Sequence, residues 1–168
     1  MKNLTLALFI LFNSIIAQAQ TKWINYKIDN KLSVKFPSQP TRMSDDILLS
    51  SNKDSTAVFT ITVIDVAQIA KIDSAGLAKA QENPDFIKGM ANFMNDKSHY
   101  AKLEDFKTSK WNGFTTYTTM GLGSDPRNKY YHVLMIFIGT KLYMFGAILT
   151  ATANTKVKDD YFSSISLN

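Results

Sequence analysis

Apolar and polar residues alternate from Trp23 through Ile28 and again from Leu32 through Phe36, with Asp29-Asn30 between the two runs. A period of two puts one side of a strand into a core, so this pair predicts a β-hairpin that stops at Pro37. Ser38-Gln39-Pro40 follows as a loop. Residues 42–50 predict one further strand. Lys53-Asp54-Ser55 turns the chain into a long β-branched run over 57–66, with Val58, Ile61, Val63, Ile64 and Val66. The period then changes. Asp73 or Ser74 can cap a helix carrying Leu77, and Asn83-Pro84 breaks it and starts another, since proline suits a first helical position. From Pro84 the apolar set Phe86, Ile87, Met90, Ala91, Phe93 and Met94 recurs every three to four residues and forms one helix face that ends near Asn95-Asp96.

The second half returns to strands. Residues 99–107 and 114–120 flank Trp111-Asn112-Gly113, and Asn-Gly is a strong hairpin signal. Residues 121–128 read as a polar loop. Strands over 130–138 and 142–149 flank a turn at Gly139-Thr140-Lys141. Asn154 caps a closing helix with Val157, Tyr161 and Ile165 on one face. The last hairpin decides the architecture, because both of its faces are apolar. Leu134, Ile136 and Ile138 point one way, and Val133, Met135 and Phe137 the other. Leu142, Met144 and Ile148 likewise oppose Tyr143, Phe145 and Leu149. A sheet apolar on both sides needs cover on both sides. The expected fold is therefore an α/β/α sandwich around a central, mostly antiparallel sheet, with the middle helices on one face and the closing helix on the other.

The opening residues change the expected location. Lys2 and Asn3 precede a mostly apolar run over 4–16, and Ala17-Gln18-Ala19 places small residues where a signal peptidase reads. Residues 1–19 are thus expected to be a cleavable signal peptide, followed by a single domain over 20–168. The run is shorter than the ~20 residues that a spanning helix needs. No cysteine stands at the cleavage site for a lipid anchor; the chain has none at all. Periplasm or extracellular space is the expected compartment. The missing cysteines also exclude a disulfide scaffold, a thiolate metal site and a cysteine nucleophile. Net charge is +5, and removal of residues 1–19 takes away only Lys2. The lysines are scattered rather than clustered, which argues against nucleic-acid binding and leaves weak attraction to an anionic envelope surface as one option.

Several of these residues stand in a familiar arrangement. Trp23-x-x-Tyr26 precedes a strand ending in Phe36-Pro37 with Pro40 shortly after. Trp111-Asn112-Gly113 turns the middle of the chain, and the closing helix ends in an aromatic-serine-serine stretch over 161–164. The mature chain resembles the PsbP-like domains, named for an extrinsic subunit of photosystem II, and their exported bacterial relatives. The resemblance implies an antiparallel sheet between helices, and a domain used mainly to bind other proteins or help assemble them. It transfers no catalytic motif and no binding residue.

The residues themselves offer little catalytic chemistry. His99 and His132 are the only histidines. Each has an aspartate nearby in sequence, Asp96 and Asp125, but zinc takes three or four ligands. Triads assemble from distant segments, yet no Gly-x-Ser-x-Gly elbow is present; Gly121-Leu122-Gly123-Ser124-Asp125 comes nearest. Asp45-Asp46 and Asp159-Asp160 are adjacent in sequence and read as surface charge. There is no phosphate loop, dinucleotide fingerprint or calcium loop. The expectation is an exported, non-catalytic binding or assembly domain without cofactor or metal, whose partner is another envelope protein. The alternatives are a periplasmic hydrolase using His99 or His132 and a weak binder of anionic envelope surface. The candidate contact is the loop over 121–131, through Arg127, Tyr130 and Tyr131, since arginine and tyrosine are favoured at interfaces. Neighbouring strand residues point to opposite faces, so at most one of the two tyrosines can share a surface with Arg127.

Overall fold

The computed structural model describes residues 23–97, 101–123, 127 and 130–168. Eleven strands and four helices are found among them. The strands are β1 (Ile24–Lys27), β2 (Leu32–Phe36), β3 (Thr41–Ser44), β4 (Ile47–Ser51), β5 (Ala57–Asp65), β6 (Ala101–Leu103), β7 (Lys107–Trp111), β8 (Phe114–Gly123), β9 (Tyr130–Ile138), β10 (Lys141–Leu149) and β11 (Ser166–Leu167). The helices are α1 (Val66–Ala70), α2 (Ser74–Gln81), α3 (Pro84–Lys97) and α4 (Lys156–Ser163). The main sheet is antiparallel in the order β3-β4-β5-β10-β9-β8, and β6 and β7 share the remaining side of β8. A small sheet, β1-β2-β11, stands apart from it.

The turns follow from local sequence. Asn112 and Gly113 both have positive φ (48° and 83°), as a two-residue type I′ hairpin requires, and Trp111 pairs with Phe114. Gly139 takes φ 63° at the first position of the two-residue turn that registers Ile138 against Lys141. The Asp73 side chain accepts the Gly76 N–H at 2.7 Å to start α2, and the Asn83 side chain accepts the Asp85 N–H at 2.9 Å to start α3.

The two faces of the main sheet hold separate cores. One contains Phe59 and Ile61 of β5, Ile136 of β9, and Tyr143, Phe145 and Leu149 of β10, closed by Leu32, Val34 and Phe36 of β2 and by Tyr161 and Ile165. Tyr161 sits at its centre, 4.7 Å from the Phe59 ring and 5.7 Å from the Phe36 ring, and its hydroxyl donates to the Thr60 carbonyl at 2.9 Å. Each such fully buried side chain contributes about 1.5–3 kcal/mol through area removed from water. The other core gathers Val133, Met135, Phe137, Leu142 and Tyr117 beneath Leu77 of α2 and Phe86, Ile87, Met90 and Met94 of α3.

The fold is thus the expected three-layer α/β/α arrangement, with differences in detail. The closing helix does not cover its face alone; it shares that layer with β1-β2-β11. The single strand expected over 42–50 is a hairpin, β3-β4, turning at Asp45-Asp46. The run over 57–66 ends one residue early, because the Asp65 side chain accepts the Ala67 N–H and starts α1. The strand expected over 99–107 is divided between β6 and β7, and β8 continues through Gly123 into what reads as loop.

Candidate functional site

The expected contact loop is only partly visible. Arg127 lies exposed in a turn; Asp125, Asn128 and Lys129 lie outside the described residues. Tyr130 and Tyr131 open β9 and point to opposite faces, as their positions dictate. Tyr130 packs against the core beneath α4, with its ring 6.4 Å from that of His132. Its partner across the ladder is Leu122, which is 58% exposed. Tyr131 packs toward the helix-covered core, with its ring lying over Gly146, and burial pushes its phenol upward. Only Tyr130 therefore shares a face with Leu122.

His132 stands near the start of β9, opposite Met120 and Ala147. Burial lowers its pKa first, the charge of Lys158 lowers it further, and Asp159 offsets part of this. His99 lies outside the described residues. Among the described residues no three His, Asp or Glu side chains converge in a way that could hold a metal ion.

A concavity of about 370 Å³ opens elsewhere, at the rim of the main sheet. Its apolar floor is Ile28, Leu48, Ile61 and Val63; its rim carries Asp29, Arg42, Asp45, Asp46, Asp65, Gln68 and Lys141. Four separate segments meet there: the β1–β2 turn, the β3–β4 hairpin, the end of β5 running into α1, and the start of β10. A β-bulge at Met43, between the pairs Arg42–Leu48 and Ser44–Ile47, bends the hairpin. Met43 (65%), Ile47 (38%) and Ile69 (75%) are exposed on the same segments but do not line the concavity; Ile47 pairs with Thr62 and so points to the sheet face opposite Leu48, Ile61 and Val63.

Asp29 fixes one wall. Its carboxylate accepts from the Tyr143 hydroxyl (2.6 Å), Lys141 Nζ (3.1 Å), the Lys31 N–H (2.7 Å) and the Leu32 N–H (3.2 Å). Burial alone would raise its pKa, but these bonds outweigh it, that from Tyr143 most, and hold the carboxyl at about 2. Burial and the bond to Asp29 push the Tyr143 phenol well up. Asn168 completes the tie, its Nδ2 donating to the Asp29 carbonyl at 2.7 Å and its Oδ1 accepting from Ser33 Oγ. The sequence shows Asp29 only as a turn residue. No local signal marks this pocket, because its lining comes from segments distant in sequence.

Comparison with known proteins places the fold. No protein-family model matches the chain, and no curated protein matches it. Among solved structures it is similar to cyanobacterial PsbP (CyanoP) from Synechocystis sp. PCC 6803, in solution, with a TM-score of 0.57 at 10% identity, covering 88% of this chain and 94% of that one. A crystal structure from Bacteroides thetaiotaomicron matches at a TM-score of 0.40 and 11% identity, over 82% of this chain and 45% of that one. The chain has the PsbP-like fold.

Proposed function

We propose that this protein is an exported, non-catalytic domain that binds another protein of the cell envelope, with residues 1–19 removed as a signal peptide. The observation that carries the reading is the rim pocket: an apolar floor open to solvent and ringed by charge. Interfaces concentrate apolar anchors within a polar rim in this way. General acid–base catalysis at the same place would want a group titrating near neutral pH. Asp29 and Tyr143 are displaced from that range in opposite directions, and each is occupied in joining the β1–β2 turn to β10. Arg127, with Tyr130 and exposed Leu122, forms a second proposed contact.

Tagged protein and a Gln68→Trp variant, whose bulk at an exposed lining position obstructs the pocket, are to be exposed to native envelope extract. A partner held by the wild type and lost by the variant, at an unchanged melting temperature, supports the docking reading; the same partners on both overturn it. The exported form is expected to begin at Gln20 by intact mass. A membrane-bound product retaining Met1 through Ala19 overturns the export reading. A hydrolase centred on His132 predicts that His132→Ala abolishes a measurable activity, whereas the binding reading predicts that this variant keeps its partner.

A further inference from the structure

We infer that the segment docking in the rim pocket presents a lysine or arginine side chain; the inference rests on the docking reading above. The charges decide it. Asp29 and Lys141 are paired with each other at 3.1 Å. Among the described residues no ion pair engages Asp45 or Asp46 at the hairpin tip, or Asp65 at the start of α1. Arg42 gives its guanidinium to the Asp45 carbonyl oxygen at 2.6 Å. The lining thus carries four aspartates, Asp29, Asp45, Asp46 and Asp65, against Arg42 and Lys141, so the concavity is negative on a chain of net charge +5. Low-dielectric walls such as Leu48 and Ile61 concentrate that field at the mouth.

The shape selects among cations. Lysine and arginine lay an apolar stem along apolar surface while the charged head stays at its edge. The floor of Ile28, Leu48, Ile61 and Val63 suits the stem, and the aspartates at the rim suit the head. The volume is at the low end of the roughly 300–1,000 Å³ typical of ligand pockets, so it suits side chains rather than a large cofactor. The bulge at Met43 interrupts the outer edge of β3, so docking proceeds through side chains rather than by an added strand.

Three synthetic heptapeptides, alike except for a central lysine, norleucine or glutamate between leucines, test this by calorimetry with the purified protein. The lysine peptide is expected to bind about tenfold more tightly than the glutamate peptide. Raising salt from about 50 to about 300 mM is expected to weaken the lysine peptide several-fold and leave the norleucine peptide nearly unchanged. Asp45→Asn/Asp46→Asn, both exposed positions, is expected to reduce the lysine preference to about threefold or less. Equal affinities, no binding of any peptide, or an unchanged preference in the double variant overturns the inference. The envelope capture separates the two readings. A partner lost by Gln68→Trp but kept by Asp45→Asn/Asp46→Asn overturns the basic-segment inference and leaves docking standing. A partner kept by both variants overturns both.

Discussion

Asp29 shows how much one side chain holds. Its carboxylate and carbonyl together tie the β1–β2 turn to Tyr143 and Lys141 of β10 and to Asn168. Replacing it with alanine leaves the buried Tyr143 hydroxyl without its acceptor, so Asp29→Ala is expected to cost about 1–3 kcal/mol in urea unfolding. The sign of the pH dependence follows from the folded pKa of about 2, below the ordinary value of 3.8. A depressed carboxyl stabilises the fold fully above the unfolded pKa and loses that contribution as pH falls through the folded one. Between roughly pH 5 and pH 2 the wild type is therefore expected to lose on the order of 1–2 kcal/mol more than Asp29→Asn, a figure reduced for the partial exposure of the pair. Equal acid slopes would remove Asp29 from this role. Gly146 makes a second test. A Cβ there would collide with Thr60 Oγ1 and lie 3.1 Å from the Tyr131 ring. Gly146→Ala is expected to lower stability by about 1–3 kcal/mol, with part recovered in Gly146→Ala/Thr60→Ala because the blocking oxygen is gone.

At the level of elements, the Asn112-Gly113 turn was the most legible feature, because its backbone demands those residue types. Gly113→Val, forcing a β-branched side chain to φ 83°, is expected to cost about 1–2 kcal/mol and to increase amide exchange along β7 and β8. The helix starts at Asp73 and Asn83 were legible for the same reason, as was the double-faced hairpin β9–β10. Other elements were hidden by their neighbours. Leu48 and Leu49 continue a strand pattern across Asp45-Asp46, which disguises a two-residue turn. Val66 extends a β-branched run, although Asp65 before it is a helix cap. β11 is two residues long and pairs with β2 across most of the chain, a relation that no local window contains. The pocket was illegible for a similar reason: Asp29, Asp46 and Asp65 mean little until three distant turns meet.

Across the whole molecule the two cores differ in their cover. Beneath the small sheet and α4 lie the largest fully buried rings, Tyr143, Tyr161, Phe36, Phe59 and Phe145. On the opposite face, Phe86, Ile87, Met90 and Met94 of α3 are only partly buried. Native-state hydrogen exchange is therefore expected to release α2 and α3 at lower free energy than β5, β9 and β10. Protection of α3 equal to that of β10 would show the two layers opening as one.

The small sheet joins segments from the two ends of the described domain. β2 is flanked by β1, its neighbour in the chain, and by β11, and Ser33 of β2 bonds to Asn168, 135 residues away. Leu32, Val34 and Phe36 are wholly buried against strands that come much later in the sequence. The leading segment cannot bury them by itself, and contacts this distant form slowly because a long loop must close first. A polypeptide threaded through a translocation channel from its amino end would thus stay extended until nearly all of it had crossed. If the chain is exported amino end first, as proposed, its last layer is completed only after α4 and β11 have crossed.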